Sequence, residues 1–401
     1  MAASFKRYAA SANDAVLTAR QSALYSRADD VRDAFTRDYT RVLHSTAFRR
    51  LKHKTQVFYN IANDHICTRM EHVLHVESVA STISAKLGLN VELTRAIALA
   101  HDLGHAPFGH QGEKVINKLT EKHLGERFWH ERNGLRTVDK LELLEDNERV
   151  YRNLDLTYAV RDGIISHCGE VDENNLRPRE GRGDLAEFSD AHPEMPATWE
   201  GCVVKISDKI AYLGRDIEDA ISLGFLTDAA IAQLTEMARL RDERALNTTV
   251  IMHNMVIDIC EHSSPAAGIT LSPECLAQLN EIKAFNYEHI YGNARFGPYI
   301  AYSELVITQL FEHLRSYFDG GYTVLRLAYA ANSRLNPAGF VRGFSDWLKK
   351  YLTGGAPDCA NEKLYGALND EKTYARAVLD YISGMTDRYA IDCFNELITY
   401  A

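Results

Sequence analysis

The sequence predicts an all-α fold, and three observations predict it. Val73, Val76, Ala80, Ile83 and Leu87 recur at i, i+3, i+7, i+10 and i+14, which draws one apolar stripe down a helix of 3.6 residues per turn. Leu93 to Leu103 is apolar on almost every side, through Ala96, Ile97, Ala98, Leu99 and Ala100, the mark of a helix buried all round. No convincing run of alternating apolar and polar residues, which a half-buried strand would show, interrupts the chain.

The elements follow in order. Leu87-Gly88-Leu89-Asn90 supplies the stop of the first helix, and Gly104 with Pro107 just beyond ends the second. Further helices are expected from Gln111 to His123, Arg132 to Leu144, Leu156 to His167, Val203 to Leu223, Asp228 to Leu240, Ala245 to Glu261, Ser303 to Tyr317 and Glu371 to Met385. Between Val171 and Pro196 a polar stretch reads as a long surface loop. Gly320-Gly321 and Gly354-Gly355 punctuate the last third, and no internal repeat or flexible linker is visible.

The bulk numbers narrow the class. A chain of 401 residues, 46% of them hydrophobic, can bury at least one large core. A net charge of -10 argues against a surface built to coat nucleic acid. Cys67, Cys168, Cys202, Cys260, Cys275, Cys359 and Cys393 are odd in number and far apart, with no C-x-x-C pair, the usage of a reducing cytoplasm. Met1 to Ala34 holds no apolar run that would serve a signal peptide, and no segment reaches the roughly 18 apolar residues a membrane helix needs. The expectation is a cytoplasmic protein with no membrane partner.

Histidine marks where the chemistry concentrates. Eight of the sixteen lie between His65 and His130, which points to a metal site or to acid/base catalysis. The sharpest element is the tandem His101-Asp102 at the end of the buried helix, because an imidazole and a carboxylate on so apolar a segment are expensive to bury unpaired. A cation would compensate both. The decapeptide H-D-L-G-H-A-P-F-G-H, His101 to His110, breaks its helix at Gly104 and Pro107 and can bring His105 and His110 back past the same point.

A first-row ion takes four to six ligands, so further donors are expected. His72 is one turn before Val76 on the apolar stripe and would point into the core. Asp208 is the fourth candidate. Its helix carries Ile206, Ile210, Leu213 and Ile217 on one face and Asp208, Tyr212, Asp216 and Asp219 on another, with Lys205 and Lys209 beside them. Such a polar stripe is most often a solvated face; a tyrosine flanked one turn either side by aspartates favours a cleft.

With these motifs in view, the chain resembles the HD-domain deoxynucleoside triphosphate triphosphohydrolases, the bacterial dGTPase-like proteins and their vertebrate dNTPase relative. The matching blocks are R-D-Y-T-R-V-L-H-S-T-A-F-R-R-L-K-H-K-T-Q-V-F from Arg37, T-R-M-E-H-V-L-H-V from Thr68, H-D-L-G-H-A-P-F-G-H-Q-G-E from His101 and F-W-H-E-R-N-G-L-R from Phe128. L-T-Y-A-V-R-D-G-I from Leu156, W-E-G-C-V-V-K-I-S-D-K-I-A-Y from Trp199 and D-Y-I-S-G-M-T-D-R-Y-A from Asp380 continue the family's order. Glu131 and Asn133 stand where Asn and Gln are common, and Lys205 and Lys209 where acidic residues are frequent.

The resemblance implies an HD-domain helical core with additional C-terminal helices. Its divisions would be an N-terminal segment over 1-36 packed on the core or at an oligomer interface, the HD-domain core with the metal site over 37-225, and a C-terminal helical region over 226-401 completing the nucleotide pocket. It implies that His72, His101, Asp102 and Asp208 bind one divalent ion per subunit, Mn2+, Mg2+, Fe2+, Co2+ or Ni2+. It implies a catalytic shell of His105, His110, Glu113 and His130, with Arg69, Lys209, Tyr212 and Asp216 meeting the nucleotide, and Gln56, Tyr381 and Asp387 near the sugar or base.

The implied reaction is dNTP plus water giving deoxynucleoside and inorganic triphosphate, by attack at the α-phosphorus. The implied partners are the deoxynucleoside triphosphate, a second dNTP as activator, further copies of the chain in a hexamer or tetramer, and weakly bound single-stranded nucleic acid. Two other readings compete: an HD phosphohydrolase acting on nucleoside monophosphates or cyclic nucleotides, and a nucleotide or single-stranded DNA sensor without turnover. The G-M-T-D-R-Y block favours the triphosphohydrolase over the first, and the complete set of His105, His110, Glu113 and His130 weighs against the second.

Overall fold

The structure of the chain, a computed structural model, describes residues 5–22, 30–58, 63, 65–167, 174–191, 193–238, 248–332 and 338–399. Cys168, parts of the N-terminal segment and of the polar stretch, and residues 239–240 and 245–247 at the ends of two expected helices lie outside them. Among the described residues are sixteen α-helices and a single two-stranded ribbon, so the fold is all-α as expected. They form two compact units interleaved in sequence: Met1–Leu43, Gln56–Asp102 and Asp155–Phe296 in the first, His44–Thr55, Leu103–Leu154 and Gly297–Ala401 in the second.

In the first unit the Arg69–Leu87 helix opens on a reciprocal cap, in which the Thr68 side chain accepts from the Glu71 amide and Glu71 accepts from the Thr68 amide. It closes at Gly88, whose φ of 81° lets the chain turn away while its N–H still reaches the Ser84 carbonyl. Asn90 then caps the Val91–Ala100 helix through the Leu93 amide. Leu93 and Ala96 through Ala100 are fully buried, as their all-round apolar pattern requires. Each large aliphatic side chain so buried contributes about 1.5–3 kcal/mol. This helix packs against Arg69–Leu87, Tyr158–Ser166 and Trp199–Ser222, which fixes the end carrying His101 and Asp102.

In the second unit the Gly109–Leu124 and Gly297–Arg315 helices pack together and on Glu371–Ser383. The expected helix from Arg132 to Leu144 is cut short. An α-helix over His130–Arg136 runs into a π turn over Thr137–Leu141, and Leu143–Glu145 then pairs antiparallel with Tyr151–Asn153. Leu141, Leu143 and Leu144 fit either period, so their spacing does not discriminate. Asp146 decides the outcome: its Oδ1 accepts from the Glu148 and Val150 amides and closes the connecting turn. Helices over Pro273–Asn286, Thr323–Asn332, Ala338–Lys349 and Asp387–Ile398 join those expected.

Candidate functional site

Within the first unit, the first turn of the Arg69–Leu87 helix, the end of the Val91–Ala100 helix and the middle of the Trp199–Ser222 helix bring four polar side chains to one place. His72 Nε2 lies 2.9 Å from Asp208 Oδ1, and His101 Nε2 lies 3.8 Å from Asp208 Oδ1 and 3.8 Å from Asp102 Oδ1. One donor atom from each of His72, His101 and Asp102 lies within 4.8 Å of the other two. His101 gives its Nδ1 hydrogen to the Ala98 carbonyl at 2.7 Å, which leaves Nε2 as a lone-pair nitrogen, buried and with no hydrogen-bond partner. A buried, unsatisfied acceptor beside two carboxylates is the arrangement a divalent cation completes, and imidazole with carboxylate suits first-row metals.

The electrostatics couple His72 to Asp208. Burial pushes the Asp208 carboxyl up, but the hydrogen bond and charge of His72 lead the effects that hold the group well below the ordinary carboxylate range. Burial likewise disfavours a charged His72, yet Asp208 and then Asp102 override it and raise its pKa. His72 and Asp208 therefore favour each other's charged forms. His167, which the sequence reading passes over, stands edge-on to His101 with ring centroids 5.0 Å apart, and its Nδ1 also bonds a carbonyl three residues back, that of Ile164. Its position as the last residue of an expected helix was the only signal.

Arg69 is almost wholly buried. Its Nη1 donates to Asp102 Oδ2 at 2.7 Å, while Nε and Nη2 have no partner. Two unsatisfied guanidinium donors are what an oxyanion would take up. Lys209, Tyr212 and Asp216 follow Asp208 on the Trp199–Ser222 helix, and Lys205, Lys209, Asp216 and Asp219 are buried, so this polar stripe is not a solvated face. Burial pushes Asp216 up to about 7 against the hydrogen bond it accepts from the Tyr291 hydroxyl at 2.5 Å, and its Oδ1 has no partner. Tyr291 is a second residue the sequence reading missed, because nothing in its local pattern announces a partner 75 residues away. Gln56 also keeps a buried, unpartnered side-chain oxygen.

The second unit gathers His105, His110, Glu113 and His130. The His105 and His130 rings stack with centroids 4.0 Å apart and planes 19° from parallel, and His110 stands nearly perpendicular to His105 at 5.4 Å. Glu113 Oε2 lies 3.2 Å from His130 Nδ1 and 3.7 Å from His110 Nδ1, so the nearer imidazole is that of His130. Burial raises the Glu113 carboxyl, but the imidazoles of His130 and His110 outweigh it and hold the group well below its ordinary value. His105 and His130 are buried, whereas the His110 side chain is 59% exposed and open to a ligand.

Close backbone approach explains why glycine stands in this segment. A Cβ on Gly104 would lie 2.0 Å from the His130 carbonyl oxygen and 2.2 Å from the Gly134 nitrogen. One on Gly112 would meet the Pro107 carbonyl oxygen at 1.8 Å. The remaining two candidates are placed differently. The Tyr381 hydroxyl bonds that of Tyr389 at 2.9 Å within an aromatic cluster, and the buried Asp387 carboxylate accepts from two main-chain amides, those of Thr55 and Phe108.

Comparison with known proteins adds a family. Residues 69–213 match the HD domain model, and residues 348–396 match the phosphohydrolase-associated domain. A deoxyguanosinetriphosphate triphosphohydrolase-like protein of Caldanaerobacter subterraneus is 34% identical over 368 residues, covering 92% of this chain and 86% of the relative. One of Thiobacillus denitrificans is 31% identical over 90% of this chain and 89% of its own length. Another, of Desulfatibacillum aliphaticivorans, is 38% identical over 72% of this chain and 75% of its own length.

Proposed function

The chain belongs to the HD-domain family of deoxyguanosinetriphosphate triphosphohydrolase-like proteins, and from that premise we propose that it hydrolyses a deoxynucleoside triphosphate, dGTP or several dNTPs, to deoxynucleoside and inorganic triphosphate. The observation that carries the reading is the buried, unpartnered Nε2 of His101, 3.8 Å from an oxygen of Asp102 and 3.8 Å from one of Asp208. His72, His101, Asp102 and Asp208 are the residues that would hold the divalent ion. When bound, such an ion supplies activation of a water molecule and neutralisation of charge on a phosphoryl oxygen.

The chain's own groups do the rest. Arg69 offers its free Nε and Nη2 to the phosphates, fixed in orientation by the Asp102 bond, and Lys209 adds a second positive charge. Water adds to the α-phosphorus as its bond to the 5′-oxygen breaks, and the departing oxygen needs a proton. His110 or His130 delivers it, each with its Nδ1 facing the Glu113 carboxylate. Asp216 carries an unpartnered Oδ1 for the 3′-hydroxyl. Tyr212, one turn before it, packs against the sugar and crowds a 2′-hydroxyl.

Product analysis tests the proposal. The chain is incubated with each dNTP alone and with all four together, in the presence of Mn2+, Mg2+ or Co2+. Equal amounts of deoxynucleoside and triphosphate are expected; monophosphate with pyrophosphate, or no turnover under any of these conditions, would refute it.

A further inference from the structure

The turn from Gly104 to Gly109 carries His105 and leads into His110, and side chains from four other segments of the same unit hold it by its peptide groups. Asn133 Nδ2 donates to the Gly104 carbonyl at 2.7 Å, and the buried Lys54 ammonium donates to the His105 carbonyl. Asp387 Oδ1 accepts from the Phe108 amide at 2.8 Å, and the Tyr299 hydroxyl donates to the Phe108 carbonyl at 2.8 Å. The second Asp387 oxygen accepts from the Thr55 amide at 3.0 Å, next in sequence to Lys54.

Phe108 needs holding. Its φ of 64° and ψ of 24° put it in the left-handed region, and Gly109 follows at φ 56°. Glycine visits that region freely, but a bulky side chain there is strained and persists only where its surroundings over-determine it. The Phe108 ring is buried, and its peptide is gripped on both sides by Asp387 and Tyr299. These two left-handed residues turn the chain so that the His105 and His110 rings stand nearly perpendicular at 5.4 Å.

We infer that Asp387 is a positioning residue, with Tyr299 as the second jaw of a clamp that keeps Phe108 left-handed and thereby sets His105 and His110 against Glu113 and His130. The inference rests on the proposed catalytic role of those four residues. It departs from the family resemblance, which put Asp387 near the sugar or base: both oxygens of this buried carboxylate are engaged by main-chain amides.

Asp387→Asn and Tyr299→Phe test it, with steady-state kinetics, metal content and hydrogen exchange measured on each. Asp387→Asn is expected to lower kcat by about tenfold or more, since small misplacements of catalytic groups are that costly, with KM and metal content unchanged. Tyr299→Phe is expected to act in the same direction by a smaller factor, and it carries the test if Asp387→Asn does not fold. In both variants the Phe108 amide should exchange faster while the Arg69–Leu87 helix keeps its protection. A raised KM with unchanged kcat would make Asp387 a nucleotide contact and overturn the inference, as would wild-type kcat in both variants. Should the wild-type chain turn over no nucleotide, the catalytic reading fails by itself. The exchange measurement still decides the clamp, which unchanged protection at Phe108 would overturn.

Discussion

His101 gives its Nδ1 hydrogen to the carbonyl oxygen of Ala98, three residues back on the same helix, and so presents Nε2 as a bare acceptor in a buried site. The bond fixes the tautomer and the ring plane before any ligand arrives, which is the usual second partner of a metal-binding imidazole.

Removing one of the two carboxylates beside that nitrogen should abolish both occupancy and chemistry. Asp208→Ala is expected to lower metal affinity by well over the roughly 10- to 100-fold that outer-shell partners alone are worth, and turnover with it. Metal analysis of the purified variant alongside a dNTP assay checks this. Stoichiometric metal in an inactive Asp208→Ala protein would move Asp208 from the coordination sphere to another role.

His110→Ala should separate the two properties. The variant is expected to keep its metal and to lose about 10²- to 10⁴-fold in kcat, the usual worth of a positioned acid. Full activity would reject the acid role for His110 and leave His130 as the donor.

Metal affinity should rise with pH. His72 has a pKa raised above its ordinary 6.5, so in the metal-free chain its pair with Asp208 is fully present below 6.5 and is lost as pH climbs through the raised value. The ion requires the neutral imidazole and must expel that proton. Titration calorimetry near pH 6.5 in two buffers of different ionisation enthalpy should therefore report proton release. Identical heats in both buffers would contradict it.

Gly104→Ala should destabilise the second unit through backbone collision. The added methyl would fall 2.0 Å from the His130 carbonyl oxygen, an atom that no rotamer change can move. A loss of about 3 kcal/mol, the upper part of the overpacking range, is expected in denaturant unfolding. An unchanged midpoint would show that the His130–Arg136 helix can shift freely.

The legible parts of this molecule are those with a local signature. The stripe from Val73 to Leu87 and the all-round apolar run from Leu93 fall in helices that bury those residues, and the tandem His101-Asp102 stands out because charge on so apolar a segment has to be compensated. The hairpin of Leu143–Glu145 with Tyr151–Asn153 is missed because three leucines fit two periods. Tyr291, Tyr299 and Lys54 are missed for a different reason: each reaches by hydrogen bond a residue at least fifty positions away, and such a bond leaves no periodic trace. Composition alone would make the polar face of the Trp199–Ser222 helix a solvated one, but Tyr212 flanked by Asp208 and Asp216 points to a cleft, and Lys205, Lys209, Asp216 and Asp219 on that face are buried. Interleaving of two units along one chain likewise leaves no mark in a linear pass.

The most direct test is a crystal of the Mn2+-loaded protein with anomalous scattering recorded at the manganese edge. One strong peak is predicted, within bonding distance of the Nε2 atoms of His72 and His101 and of carboxylate oxygens of Asp102 and Asp208. A chain that binds manganese with its peak elsewhere, or with Asp208 turned away from it, would contradict the account.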